Sequence, residues 1–248
     1  MQIDVVIPTK GEWTLSYCIK AVRRYIPNSH IILVTTPSFR VVADKLGDVT
    51  RILDEKNVGK ARAEGLKAVE SDVYASVDSD VLVTHEWFKW CIKTIKRPDI
   101  AACEGYAKTM GKLHGAIQEK WIRNGNPSER FCCLGNTILK TEIVRQAGMP
   151  LVSVEEDWQL RRRIEKLGYE WISNVDIKCP HLKTDVDAWK HAVWWGMMGG
   201  SVKVSRCIAR IPYYLTFGNL ERPLNQNLFL TTFQLSLLYG KFKGSVFK

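Results

Sequence analysis

Two aspartates one residue apart, Asp78 and Asp80, close the apolar run Val73-Tyr74-Ala75-Ser76-Val77. In an extended chain, residues i and i+2 point to the same face, roughly 6.5–7 Å apart. Two carboxylates placed so at a strand end repel unless a cation sits between them. A hard divalent ion such as Mg²⁺ or Mn²⁺ would relieve that repulsion and keep coordination positions open for substrate phosphates. A polar loop with one Asp capping the next helix is the plainer reading of the same residues. A second chemical stretch is Asn57-Val58-Gly59-Lys60-Ala61-Arg62, which opens a helix. Gly59 lets a backbone or ligand come close, the helix N-terminus offers free N–H groups, and Lys60 and Arg62 add charge, a combination that suits a pyrophosphate. The spacing of a Walker loop is absent, and an ordinary amphipathic helix would look similar. The third stretch is Glu155-Glu156-Asp157, at the head of a helical stripe of Leu160, Ile164 and Leu167 that Gly168 terminates. Three acids in a first turn also suit the helix dipole.

These residues need a frame. Residues 3–7 form an apolar run ending at Pro8-Thr9, and a helix follows with Leu15, Cys18, Ile19, Val22 and Ile26 on one stripe. Strands over 30–35 and 49–53 alternate with helices over 37–46 and 58–69 before the strand that carries Asp78. Such alternation predicts a Rossmann-like, mostly parallel sheet with helices on both faces. Ligands then bind at the carboxyl ends of the strands, where Pro8-Thr9, Asp54 and Asp78/Asp80 converge. Further on, Thr84 caps a helix bearing Trp87, Cys91 and Ile95. Strands are expected over 100–106, 131–139 (interrupted at Gly135-Asn136) and 169–173. Residues 108–126 read as irregular with a helical centre, with Gly111, Gly115, Gly125 and Pro127 as loop signals near the site. His181 is expected on a loop after Cys179-Pro180.

Composition sets outer limits. A chain of 248 residues with 46% apolar residues is one large domain, or one domain with an appendage. The net charge of +10 is uneven: from residue 188 onward there are eight Lys/Arg against a single acid, Glu221. A basic surface implies an anionic partner, whether nucleic acid, phospholipid or phosphorylated substrate. The seven cysteines are odd in number and make no C-x-x-C pair, so reduced, buried thiols are expected. With no leader pattern and no apolar run of membrane-spanning length, the expected location is cytoplasmic, with a peripheral position at the inner face of the membrane as an option.

Taken together, these stretches resemble the family-2 type of GT-A fold glycosyltransferases. The resemblance rests on Val6-Ile7-Pro8-Thr9 with Glu12, Asn57-x-Gly59-x-Ala61-Arg62, Asp78-Ser79-Asp80, and Glu156-Asp157-x-x-Leu160 followed by Gly168-Tyr169. It covers residues 3–183. It implies an inverting transfer of sugar from a nucleoside-diphosphate donor, assisted by Mn²⁺ or Mg²⁺. Pro8, Thr9, Glu12 and Asp54 then resemble the nucleoside pocket, with Ser79 and Gly59 among the donor contacts and Arg62, with Lys60, near the base or diphosphate. Asp80 resembles the direct metal ligand, Asp78 a ribose or metal contact, and His181 the histidine that completes the metal site in some relatives. Asp157 resembles the catalytic base, with Glu156 beside it. Departures exist: Ala63-Glu64 stands where relatives often carry Asn after the arginine, and no Gln-x-x-Arg-Trp segment of processive synthases is present.

Residues 184–248 lie outside the resemblance and read as a basic helical extension. Helices are expected over 185–199, 202–211 and 224–239, rich in Trp189, Trp194, Trp195, Phe229 and Phe233, with Lys241, Lys243 and Lys248 flanking. An interfacial membrane anchor has this character and would suit a lipid-linked acceptor. A helix packed on the core, or a dimer interface, is the alternative. Two other function classes compete. A sugar-nucleotide nucleotidyltransferase would share the sheet, but it calls for a Gly-rich basic loop after the first strand, and Pro8-Thr9-Lys10-Gly11-Glu12 is too sparse. An inactive nucleic-acid-binding protein would use the +10 charge, but no such binding motif is visible.

Overall fold

Alternation along each strand decides which layer a side chain joins. Ile3, Val5 and Ile7 enter one core cluster with Leu15, Val22, Trp87 and Cys91, whereas Val6 enters another with Leu66, Leu160 and Ile164. Ile31/Leu33 and Ile32/Val34 divide in the same way. The sheet is therefore buried on both faces, which is why its strands read as continuous apolar runs.

The computed structural model describes residues 2–55, 57–123, 131–197, 204–215 and 224–246. The elements of the first part are β1 (Ile3–Pro8), α1 (Leu15–Tyr25), β2 (Ser29–Thr35), α2 (Arg40–Leu46), β3 (Val49–Ile52), α3 (Val58–Lys67) and β4 (Val73–Val77). Then come α4 (His85–Thr94), β5 (Ile100–Thr109), α5 (Lys112–Arg123), β6 (Asn136–Lys140), α6 (Thr141–Ala147), α7 (Glu156–Lys166) and β7 (Glu170–His181). The last helices are α8 (Asp185–Met197), α9 (Val204–Leu215) and α10 (Leu224–Val246). Seven strands form one sheet in the order β3-β2-β1-β4-β6-β5-β7. β3, β2, β1 and β4 run parallel, and β6 is inserted antiparallel between β4 and β5. The mostly parallel α/β sheet and the C-terminal helices are as expected.

Two local expectations change. The strand expected over 131–139 begins only at Asn136, because the preceding backbone bonds elsewhere: Cys133 N donates to the Glu104 carboxylate at 2.6 Å and Gly135 O accepts from Asp78 N at 3.0 Å. His181, expected on a loop, is the last residue of β7. The chain stays extended that far because Val81 bridges to His181, Leu82 N donates to Pro180 O, and Leu182 N donates to Asp80 O, the last two at 2.8 Å.

The chain forms two compact units, Met1–Lys108 with Ile122–Leu182, and Thr109–Trp121 with Lys183–Lys248. Within the second, the Asp185 carboxylate accepts from Leu113 N and His114 N at 3.2 and 2.8 Å. α8 and α10 touch through glycines: a Cβ at Gly240 would lie 2.0 Å from Val193 O, and one at Gly196 2.3 Å from Leu237 O. Among the described residues no helix is long and apolar enough to cross a membrane. Gly125, Pro127, Glu221 and Lys248, all named above, lie outside the described residues, as does the side chain of Trp195.

In the first unit, α3 starts with Asn57 Oδ1 accepting from Lys60 N at 3.0 Å. Gly59 packs against the chain before α7, where an added Cβ would fall 2.3 Å from Pro150 O and 2.4 Å from Val152 O. Both neighbours are backbone and cannot swing away. Gly59→Ala is therefore expected to destabilise the protein by about 1–3 kcal/mol, as overpacking does. Urea unfolding measures it, and a midpoint equal to the parent's would contradict this packing.

Candidate active site

The loop after β1 folds onto the loop after β4 through one carboxylate. Glu12 Oε2 accepts from Thr9 Oγ1 at 2.7 Å, from Lys10 N at 2.9 Å and from Ser79 Oγ at 3.1 Å. Gly11 stands at φ +86°, a conformation costly for other residues, and its N–H donates to Thr9 Oγ1. Pro8 ends β1, and Asp54 lies exposed just past β3. The expected nucleoside-side residues thus sit at carboxyl ends of parallel strands.

Arg62, projecting from α3, is 4% exposed. Its Nη2 donates to Asp78 Oδ1 at 2.6 Å, and its Nη1 donates to Glu156 Oε1. Burial works against the guanidinium charge, and Asp78 and Glu156 more than restore it. The arginine that the sequence placed near a ligand is thus clasped between two protein carboxylates. Lys60 is exposed and bonds Glu55 Oε2 at 2.6 Å. At the start of α3, Gly59 N donates to Val152 O at 3.1 Å and Lys60 N to Asn57 Oδ1. Those amides are engaged within the protein, so the glycine is accounted for by chain packing instead of ligand approach.

Asp80 and His181 meet, with Asp80 Oδ2 at 3.1 Å from His181 Nε2. The backbone pairing of 80–82 with 180–182 brings them together. An oxygen ligand beside an imidazole suits a first-row divalent ion such as Mn²⁺. The third expected ligand, Asp78, gives one oxygen to Arg62. Its other oxygen lies where a Cβ on Gly135 would come within 2.5 Å. Among the described residues no group of three His, Cys, Asp or Glu is arranged to hold a metal ion: Asp80 and His181 come together, and Asp78 is drawn to Arg62.

Asp157 is half-buried in the first turn of α7, where its Oδ1 accepts from its neighbour Trp158 N at 2.8 Å. Burial, then Glu156 and, more weakly, Asp78 push its carboxyl up to about 7, against the pull of Trp158 N and Arg62. The residue before the helix, Glu155, takes a left-handed φ of 61°, an uncommon conformation for a non-glycine residue.

One carboxyl escaped the sequence reading. Glu104 on β5 is fully buried and accepts from Cys133 N, from Trp171 Nε1 at 2.8 Å and from Ser173 Oγ at 2.6 Å. Burial, with a smaller contribution from Asp157, pushes it up to about 8. A single Glu in an apolar strand leaves no pattern to find.

Removing the arginine tests the clasp. Losing one partner of a buried ion pair typically costs about 3–5 kcal/mol. Asp78 is 32% exposed and partly rehydrates, so Arg62→Met is expected near the lower end of that range. Arg62→Lys is expected to recover little, since a point ammonium cannot fork to two carboxylates. Chemical denaturation decides it: a parent-like midpoint for Arg62→Met would refute a stabilising clasp.

Comparison with known proteins supplies the wider setting. Residues 4–146 match the model of glycosyl transferase family 2. A mannosyltransferase from Pyrobaculum calidifontis in complex with GDP-Man and Mn²⁺ is similar in structure, with a TM-score of 0.66 at 13% identity, over 99% of this chain and 87% of that one. Glucosyl-3-phosphoglycerate synthase from Mycobacterium tuberculosis, in complex with Mn²⁺, UDP-Glc and phosphoglyceric acid, gives 0.53 at 16% identity over 73% and 72% of the two chains. The curated proteins contain no match. At such identities the likeness is one of fold, the GT-A fold.

Proposed function

Because the chain belongs to glycosyl transferase family 2, and is thus a glycosyltransferase, we propose that it moves a sugar from a nucleoside-diphosphate sugar to a hydroxyl or phosphate acceptor in one inverting displacement. The observation that carries this reading is the separation of roles among its carboxylates. Asp78 and Glu156 share the single cation of Arg62, Asp80 faces His181, and Asp157 carries a proton affinity near neutrality. A base is most effective when its pKa lies near the working pH. The acceptor oxygen bonds the anomeric carbon, the bond from that carbon to the diphosphate oxygen breaks, and the acceptor proton goes to Asp157. Attack opposite the leaving group inverts the centre.

Thr9, Glu12 and Ser79, tied through one carboxylate, would frame the nucleoside end with Pro8 and Asp54. Asp80 and His181 would hold a divalent ion, with Asp78 behind them in the Arg62 clasp. When bound, Mn²⁺ or Mg²⁺ would neutralise charge developing on the departing diphosphate. The complexes of the structural relatives with GDP-Man, UDP-Glc, Mn²⁺ and, in one case, Mg²⁺ with UDP support a donor and an ion of this kind. No observation favours the nucleotidyltransferase or nucleic-acid reading separately.

The extension after residue 183 is the part we assign to a membrane surface, with a lipid-linked acceptor held there. α10 supports it. Leu228, Leu235, Tyr239 and Phe242 are exposed at 48, 49, 57 and 69%, whereas Asn227, Thr231 and Gln234 are buried. Spacings of seven, four and three put the exposed four on one stripe, beside Lys243. A dimer through the same stripe would bring two basic tails together, which charge repulsion opposes. Sedimentation with anionic vesicles at low and high salt measures this assignment, and a protein that never pellets would sink it.

Two variants test the chemistry. Nucleoside diphosphate with Mn²⁺ is expected to raise the melting temperature of the parent by mass action, and Asp80→Ala to lose the Mn²⁺-dependent part. Asp157→Asn is expected to keep that stabilisation while turnover drops by ~10²–10⁴-fold. In the parent, a carboxyl held up to about 7 is a competent base only above that pH, so the rate is expected to fall about tenfold per unit below it. Near-parent turnover in Asp157→Asn would transfer the role to another group.

A further inference from the structure

The outer face of α1 has no part in the donor site, yet it carries the most exposed large apolar side chain in the described structure. Trp13, just before the helix, is 72% exposed and Tyr17 53%. Their rings lie edge to face with centroids 6.0 Å apart, and Lys20 Nζ stands 6.0 Å from the Tyr17 ring. Arg24, also exposed, lies with its guanidinium 5.2 Å from the Tyr25 ring. Trp13, Tyr17, Lys20 and Arg24 stand at i, i+4, i+7 and i+11, a single face about three turns long. Leu15, Cys18, Ile19 and Val22 line the opposite, buried face. The helix therefore has two designed sides, one for the core and one, aromatic then basic, for something else.

We propose that this face of α1 is a docking strip for an anionic membrane surface, located in the catalytic unit itself. The proposal rests on the reading that the acceptor is held at such a surface. Trp and Tyr suit a boundary with one apolar and one wet side, and Lys20 and Arg24 match lipid phosphates in charge. Among the described residues no carboxylate pairs with either cation, whereas the neighbouring Arg23 is taken by Asp48 at 2.7 Å. The net charge of +10 draws the whole chain to the same kind of partner. A neutral saccharide would use the two rings but leave the cations without purpose. The strip begins one residue after Glu12, whose carboxylate bonds Ser79 between the two aspartates. A lipid-held acceptor would thus arrive at the edge where the donor loop lies.

The test uses the full chain with vesicles of phosphatidylcholine alone or containing phosphatidylglycerol, at two salt concentrations. Each cation near an anionic surface is worth about 1 kcal/mol, roughly fivefold in partitioning. Lys20→Gln with Arg24→Gln is therefore expected to weaken binding about 20–30-fold at low salt and much less at high salt. Trp13→Ser with Tyr17→Ser is expected to weaken it at both. All four residues are exposed, so melting temperatures and nucleotide-dependent stabilisation are expected to match the parent and exclude misfolding. Leu235→Ser with Phe242→Ser probes α10 separately. If the parent and the α1 variants bind alike while the α10 variant lets go, the strip is refuted and the membrane reading stands. If the parent binds no vesicle, both fall. If vesicles leave Trp13 open to acrylamide quenching but cellobiose shields it, the face is a saccharide platform and the proposal is overturned.

Discussion

One buried guanidinium holds the catalytic end together. Arg62 sits at 4% exposure with a carboxylate on each amino group, Asp78 from the end of β4 and Glu156 from the start of α7. A buried charge is tolerated only when paired, and the pairing does little more than repay its desolvation. Its consequence is positional. Two consecutive elements and a third far along the chain converge on one point, and the planar fork of arginine fixes their angles as a lysine could not.

Around that clasp, environment sorts chemically equal carboxylates into different duties. Asp78 and Glu156 share a cation, Asp80 faces an imidazole, and Asp157 and Glu104 are pushed up mainly by burial. Groups of one type whose proton affinities are driven apart can serve as acid, base and ligand in a single site. The glycines serve the same end. Gly59 admits the Pro150–Val152 backbone and Gly135 leaves room for an oxygen of Asp78, so close packing brings the clasp's partners within reach.

Two helices present apolar side chains to solvent while burying others. α1 buries a conventional apolar stripe and carries its aromatics on the far side. α10 packs through Gly240 and buries Phe229 and Leu237 together with Asn227, Thr231 and Gln234, while Leu235, Tyr239 and Phe242 stay exposed.

Local pattern accounts for much of what could be read in advance. Apolar runs, helical stripes and the Asn57 and Thr84 caps are set by neighbours in the chain, so β1 to β4 and their helices stand close to where periodicity puts them. Asp78, Asp80 and Asp157 were visible as carboxylates at element ends for the same reason. Which groups each of them meets was not visible. The Arg62–Glu156 bond spans 94 residues and the Glu104–Trp171 bond 67, and no spacing rule reaches that far. The insertion of β6 between β4 and β5, the extension of β7 to His181 and the burial of Glu104 likewise depend on which backbones pair across the sheet. Sequence alone determined the elements and the supply of chemical groups, because those follow from bonded neighbours. Only the tertiary structure decided which charges meet and which are cut off from water, because distance and burial set the strength of every electrostatic interaction in the site.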